Sequence, residues 1–408
     1  MDASSKDGAA MIANRTARYS MFALLYFSQG AVLSFFTALN GLYLLSVGRS
    51  IADVGLMGTI ALIPFVLKIF MGILSDRYAL FGMGHRKPYI LIGLLIQAVC
   101  LVLVTLIHPG DQFPLYVLTA FILQAGMALY DTCTDGLALD TTPESEQGTI
   151  QGLMVGGRAL GVVVVSGVIG LLVQRTSWSA AFYLLAALTL LPLPLVWMVR
   201  EGERPAERKF QWKAFKAFSH LPIIALGLLG ALYSLIINGA NELVNPFLQQ
   251  KFSIGYDQAG FFTMVWGIGV VIGGLTGGKI SDWLNHRRAT TIAVGLSLVS
   301  IGCLPLIQAL PMAWLLVGLF GLAYGFYETV YFAISMQRTD PHIAASMFSI
   351  LMAIANIGTG IGLGVSGALA DSMDYPITFW ILAGLNLLAL ILLPLIFQAR
   401  RNALPQGS

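Results

Sequence analysis

The chain has 408 residues, of which 57% are hydrophobic and 11% charged, with a formal net charge of +3; an average soluble domain carries about 25% charged residues, so a water-soluble fold of this size would lack a polar coat. Its apolar residues come in runs of about twenty or more, each ended by charge, Pro or Asn, which is the length a helix needs to cross about 30 Å of hydrocarbon. The composition excludes an ordinary soluble domain and predicts an all-α membrane protein.

In chain order, the polar stretch from Asp2 to Asn14 precedes apolar sequence that begins at Tyr19, with no small-residue cleavage site, so the first span is expected to stay in the mature protein. Twelve spans are predicted, over residues 19–44, 52–75, 88–107, 113–138, 148–173, 178–199, 221–248, 257–280, 289–309, 312–335, 344–370 and 376–398. Cys100, Cys133 and Cys303 fall far apart inside spans, which suggests neither a disulfide framework nor a metal site. His85, His108, His220, His286 and His342 all lie in loops or at span ends. The sixth and seventh spans are separated by the stretch from Arg200 to His220, where Trp212, Phe215 and Phe218 interleave with Lys213 and Lys216. It reads either as a short interfacial helix or as a plain solvated tether. The expected organisation is an N-terminal six-helix bundle over 1–199, a cytoplasmic linker over 200–220 and a C-terminal six-helix bundle over 221–408.

Eighteen Lys and Arg residues lie in loops on the side of the termini, against three on the other, Arg49, Arg175 and Lys251. The positive-inside rule then places both termini in the cytoplasm, and the expected location is the cell's inner membrane.

The second span ends in Gly72-Ile73-Leu74-Ser75-Asp76-Arg77, followed by His85-Arg86-Lys87, and the eighth ends in Gly278-Lys279-Ile280-Ser281-Asp282-Trp283, followed by His286-Arg287-Arg288. The two aspartates are 206 residues apart, half the chain. Tyr130-Asp131-Thr132 and Tyr327-Glu328-Thr329 repeat at a similar offset of 197. Two pseudo-symmetric halves with the same membrane orientation are expected, with a cavity between them. At Asp76, Arg77 and Arg86, and again at Asp282 and Arg287, a carboxylate at a helix end meeting cations and a neighbouring helix N-terminus would make a breakable gate.

These motifs resemble the Gly-x-x-x-Asp-Arg … Arg-Lys signature of the major facilitator superfamily, with a long loop after Arg77 and Trp283 where an Arg is common. Within it, residues 60 to 190 resemble the branch that holds muropeptide permeases, acetyl-CoA transporters and siderophore permeases, with folate–biopterin transporters as near neighbours. The resemblance rests on Pro64-x-x-x-Lys68, Arg86-Lys87-Pro88-Tyr89, Asp131-x-x-x-Asp135-Gly136, Pro143-Glu144-x-x-Gln147-Gly148, Gly157-Arg158-x-Leu160-Gly161 and Ser166-Gly167. It implies a transporter fold of two six-helix bundles, with spans one, four, seven and ten lining the cavity.

Six charged residues fall inside spans: Lys68, Asp131, Asp135, Arg158, Glu242 and Glu328. A charge at the bilayer centre costs at least ~2.5–3.5 kcal/mol, so each needs a reason. At about 1.5 Å per residue, Lys68, Asp131, Arg158 and Glu328 share a layer roughly 12–15 Å from the cytoplasmic ends of their helices. Asp131 is expected to pair with Arg158 and Lys68 with Asp135, leaving Glu328, then Glu242, as the first proton carriers, with Asp131 and Asp135 also proton-coupling candidates. Lys68 and Arg158 are the expected anion contacts. Neutral candidates to line the cavity are Gln29 and Asn40 on the first span, Gln124 and Tyr130 on the fourth, Asn238 and Asn241 on the seventh, and Tyr324 and Tyr327 on the tenth. Asn245-Pro246 is expected to break the seventh span near its outer end.

No phosphate-binding loop, metalloprotease pair or nucleophile elbow is present in the sequence. The expectation is therefore a secondary transporter rather than an enzyme, with no cofactor and no metal. Its partners would be the lipid bilayer, protons and a polar or anionic small-molecule substrate, with no nucleic acid and a monomeric state. A proton-driven exporter, or a non-transporting assembly or pigment-handling factor of the same fold, are the alternatives.

Overall fold

The computed structural model describes residues 14–36, 40–49, 51–201, 210–254 and 256–397. Among them every regular element is helical. The N-terminal half runs α1 (Arg15–Ser34), α2 (Asn40–Ser46), α3 (Ile51–Arg77), α4 (Lys87–Val104), α5 (Phe113–Thr141), α6 (Gln147–Arg175), α7 (Trp178–Leu190) and α8 (Leu193–Met198). The C-terminal half runs α9 (Leu221–Phe252), α10 (Tyr256–Trp283), α11 (His286–Cys303), α12 (Leu310–Arg338), α13 (Ala344–Met373) and α14 (Tyr375–Ile396). Ten spans among the described residues are long and apolar enough to cross a bilayer. The α1–α2 pair and α3 complete twelve crossings in two six-helix bundles.

Local sequence explains where the helices begin. The Asn14 side chain accepts from the amides of Thr16 and Ala17 at 3.0 and 3.3 Å, capping α1. Pro88, Pro114, Pro222, Pro311 and Pro376 occupy the first turns of α4, α5, α9, α12 and α14. A proline there loses no helical hydrogen bond, because the first-turn amides have no partner in any case.

Both halves pack by one plan. In the first, α1 lies against α6, α3 against α5 and α4 against α5; in the second, α9 lies against α13, α10 against α12 and α11 against α12. The halves meet along two seams, α6 on α10 and α3 on α13, with α12 also touching α6 and α5 touching α13. Small residues make the seams close. Gly148 faces Gly278 and Gly152 faces Gly274, while a Cβ on Gly72 would come within 3.0 Å of the Ser346 Cα.

Two predicted elements differ, while the first span is described on either side of residues 37–39, which lie outside the described residues. The sixth is interrupted by a turn at Leu191–Pro192. The seventh is not broken at Pro246, because α9 continues through it to Phe252; one proline removes a single ladder bond, and the turns on both sides hold. Of the linker, residues 210–220 are described and form a 3-10 helix over Trp212–Ser219, whose Phe215 and Phe218 pack on Ile223, Ile343 and Met347. Residues 202–209, like the N-terminal stretch from Asp2 to Ile12, lie outside the described residues.

Candidate functional site

Between the halves lies a cavity of about 930 Å³, bounded by α1, α3, α5 and α6 on one side and α9, α10, α12 and α13 on the other. Five of the six intramembrane charges line it: Lys68, Asp131, Asp135, Arg158 and Glu328. The sixth, Glu242, points elsewhere and is exposed, so it does not belong to this cluster.

The ion pairs are not those expected from the spacing. Lys68 Nζ lies 3.3 Å from Asp131 Oδ2, and Arg158 Nη2 lies 2.6 Å from Glu328 Oε1. Arg158 turns to the opposite half because α6 packs against α10 and α12 rather than broadly along α5. Glu328, expected to lack a cation, therefore has one. Asp131 also accepts from Gln29 Nε2 at 2.9 Å. Asp135, one helical turn further on, accepts the hydroxyl hydrogen of Tyr26 and has no cation within ion-pair distance among the described residues. Buried Gln29 Oε1 and Glu328 Oε2 have no hydrogen-bond partner among the described residues, which leaves two unsatisfied acceptors on residues that line the cavity.

Across the cavity the C-terminal half presents a neutral network. Tyr324 donates to Asn238 Oδ1 at 2.8 Å, and Asn238 Nδ2 donates to the Ser234 carbonyl at 2.9 Å and to Thr359 Oγ1 at 3.2 Å. Asn241 also lines the cavity. Four expected lining residues do not. Asn40 is buried elsewhere, accepting from Tyr116 at 2.8 Å, and Gln124, Tyr130 and Tyr327 are buried away from the lining. Gln124, Tyr130 and Tyr327 sit on helices that line the cavity but on another face, which a span assignment does not resolve, and Asn40 sits on α2, of which no described residue lines it. Tyr26, Ser234 and Thr359 were missed. The signal for Tyr26 was its position three residues before Gln29, on the same helix face.

At the end of the molecule that carries both described termini, two latches join the halves. Asp76 is fully buried; it pairs with Arg86 Nη2 at 2.5 Å and accepts the Ser346 amide at 2.8 Å and hydroxyl at 2.6 Å. Its partner residues form the first turn of α13, where unpaired amides and the helix dipole favour an anion. Asp282 does the same at the start of α6, accepting from the amides of Gly148 and Thr149, each at 2.6 Å, and from the Thr149 hydroxyl. Each aspartate thus caps a helix of the opposite half. Arg86 also pairs with Asp140 at 3.0 Å and donates to Ser75 Oγ at 2.6 Å. Arg77 and Arg287 are exposed and take no part in either latch; Arg77 instead lies over the Trp212 ring.

Glu201 completes this end. Its carboxylate accepts from the amides of His85 at 2.8 Å, of Arg86 at 2.9 Å and of Lys87, capping α4. Gly84, at φ 104°, permits the approach: a Cβ there would lie 2.6 Å from the Glu201 side chain. Burial pushes the Glu201 carboxyl above its ordinary range, against the pull of these amides and of Arg86. Among the described residues no group of three His, Cys, Asp or Glu is placed to hold a metal ion.

The fold and the charge-lined cavity are accompanied by a sequence match to the family model for the Major Facilitator Superfamily over residues 22–352 and 246–407. The chain belongs to the major facilitator superfamily. Ten of its described helices are long and apolar enough to cross a membrane, as in a multi-pass member of that superfamily. It is 26% identical over 204 residues to the folate-biopterin transporter of Synechocystis, covering 47% of this chain and 41% of that protein, so the match spans about two fifths of the relative's length. AmpG 1 of Rickettsia conorii is 21% identical over 354 residues, covering 78% of this chain and 83% of that one. The fold is similar to the human organic anion transporter MFSD10, with a TM-score of 0.73 at 14% identity, covering 96% of this chain and 100% of that one. It is also similar to the E. coli fucose:proton symporter FucP, with a TM-score of 0.72 at 16% identity over 94% and 99%.

Proposed function

We propose that this superfamily member carries out proton-coupled uptake of an anionic organic solute by alternating access. The observation that carries the reading is the charge balance of the cavity. Two cations, Lys68 and Arg158, face three carboxylates, Asp131, Asp135 and Glu328, so complete pairing leaves one acid over. That acid is Asp135, held by a tyrosine hydroxyl alone among the described residues. A single protonatable carboxylate in a chamber that also holds a guanidinium suits one proton and one anionic group per cycle.

Arg158 is the anion contact in this scheme, with Lys68 behind it and Gln29, Asn238, Asn241 and Tyr324 as neutral contacts. Glu328 holds Arg158 until the solute arrives. The latches at Asp76 and Asp282 close the end that carries the termini, which the Lys and Arg distribution assigns to the cytoplasm of the inner membrane. The likeness to muropeptide, acyl-CoA, siderophore and pterin carriers supplies the candidate solutes. A non-transporting factor of the same fold has little need for five charges around a chamber of this size.

The test uses purified protein in liposomes loaded with a pH-sensitive dye. Muropeptides, acyl-CoA compounds, siderophores and pterins are first screened for thermal stabilisation, and each stabilising compound is then added outside. Acidification of the lumen on addition is the expected result. A compound that stabilises the protein and crosses the membrane without moving protons would overturn the coupling.

A further inference from the structure

The charged residues occupy only one end of the cavity. From Arg158 the wall on α6 continues through Ala159, Val162 and Val163 to Gly167, and on α10 from Val270 through Trp266 and Met264 to Phe261. Each stretch spans nine residue-to-residue steps, about 13 Å of helix. Beyond Arg158 the described lining residues on α6, Ala159, Val162, Val163 and Gly167, carry no polar side chain. On α10 the Thr263 hydroxyl is taken up by the Ala259 carbonyl and by Asn245, at 3.1 and 3.0 Å.

The seam itself changes character along this path. Between the Asp282 latch and Val163, α6 and α10 are in contact, Gly148 on Gly278, Gly152 on Gly274 and Val163 on Gly267. Past that point they part: nothing lies within 4 Å of a Cβ built on Gly167, and Phe261 and Met264 are 55% and 43% exposed. Among the described residues, the lining on α3 and α13 extends to Phe65 and Thr359. An apolar furrow therefore leads from the Arg158–Glu328 pair to an opening between α6 and α10.

We propose that the solute is an amphiphile, with its anionic head at Arg158 and a linear hydrocarbon chain laid along the α6–α10 furrow toward Gly167 and Phe261. This deepens the reading above and rests on it for the anionic head. The furrow accommodates about ten methylenes in extended form. Each buried methylene should tighten binding about fourfold.

The experiment titrates linear alkanoates from acetate to dodecanoate into the purified protein in nanodiscs by calorimetry, with empty nanodiscs as the partition control. The expected Kd falls about threefold to fourfold per carbon and levels off near ten carbons. Gly167→Leu, which fills open space, and Phe261→Ser, which alters an exposed side chain, should flatten the series for longer chains while leaving short alkanoates unchanged. Arg158→Gln should weaken every member by the same factor and keep the slope. Short anions that bind with no dependence on chain length would overturn the furrow and leave the anion carrier standing. A slope that survives in Gly167→Leu, Phe261→Ser and Arg158→Gln alike, with no common weakening, would reduce the effect to bilayer partition and overturn it too. No binding of any alkanoate, in a protein that stays folded, would overturn the amphiphile proposal, while the anionic-solute reading stands or falls by the liposome assay with its own candidate solutes.

Discussion

Asp76 and Ser346 stand 270 positions apart in sequence and meet through two hydrogen bonds, amide and hydroxyl to one carboxylate oxygen. The other oxygen takes the Arg86 guanidinium. The contact ties the end of α3 to the first turn of α13, so it exists only while the two halves are closed at this end. Its counterpart, where Asp282 at the end of α10 meets the first turn of α6, has amide and hydroxyl donors but no guanidinium in an ion pair among the described residues.

The two latches should therefore differ in strength. Asp76→Asn leaves the buried Arg86 with Asp140 and Ser75, so the cost should fall below the ~3–5 kcal/mol typical of breaking a buried pair. Asp282→Asn removes charge assistance from amide bonds in a half-exposed place, a loss of about 1–2 kcal/mol. Spin labels at exposed positions 77 and 288, one in each half, give the readout by distance measurement. Both variants should populate a longer distance, Asp76→Asn more than Asp282→Asn. Unchanged distances in both would show that the aspartates do not hold this end closed.

Much of this was legible before any coordinate. The 206-residue offset between Asp76 and Asp282 announced two like halves, and the packing of α1 on α6 repeated by α9 on α13 is that repeat in three dimensions. Convergence on one chamber follows from positions along the helices, because rise per residue is constant: Lys68, Asp131, Arg158 and Glu328 all line the same cavity. Partnership did not read, because it depends on which helices touch. Arg158 was matched to Asp131 on the preceding span, whereas α6 faces the other half and delivers it to Glu328. Glu201 escaped for a similar reason: its role is set by a backbone turn 115 residues earlier, at Arg86, and a lone acid after a span carries no motif.

The Arg158–Glu328 pair joins the halves at the cavity, and a solute anion would compete with Glu328 for the same guanidinium. Glu328→Gln should then raise anion affinity, since Arg158 loses its internal competitor, while uphill accumulation collapses because the bridge no longer resets. Arg158→Gln should lower affinity by roughly 10–100-fold, the worth of one charge-assisted hydrogen bond. Calorimetry on both variants separates the cases. A drop in affinity of the same size in each would mean that Glu328 contacts the solute rather than restraining Arg158.

Asp135 carries the charge left over when the two ion pairs are made. Asp135→Asn is isosteric and keeps an acceptor for Tyr26, so the fold should persist. Solute exchange between equal pools should stay within about twofold of the parent, whereas accumulation driven by a pH gradient should vanish, because the group that accepts the proton is gone. Counterflow and gradient-driven uptake measured on the same liposomes test this directly. Uphill uptake at the parent's rate would move the proton to another residue, with Glu328 next.

Outside the membrane, Glu201 gives a pH dependence whose sign follows from its surroundings. Burial raises its carboxyl above the unfolded value, more than the His85, Arg86 and Lys87 amides and the Arg86 charge lower it. A raised carboxyl contributes stability below its unfolded pKa and loses it as pH rises through the folded one. The parent protein should therefore lose thermal stability relative to Glu201→Gln as pH is raised from about 4 toward neutrality, where the ionised form must stay buried. At acid pH, where both side chains are neutral, the two proteins should melt closer together. Glu201→Ala, which removes the cap on α4 altogether, should melt lower than Glu201→Gln at every pH, by the order of 1 kcal/mol expected for a lost helix cap. Melting curves across that pH range decide the matter: a parent that gains stability over Glu201→Gln as pH rises toward neutrality would mean the amides and Arg86 outweigh burial, and the carboxylate would then be the favoured form at this helix end.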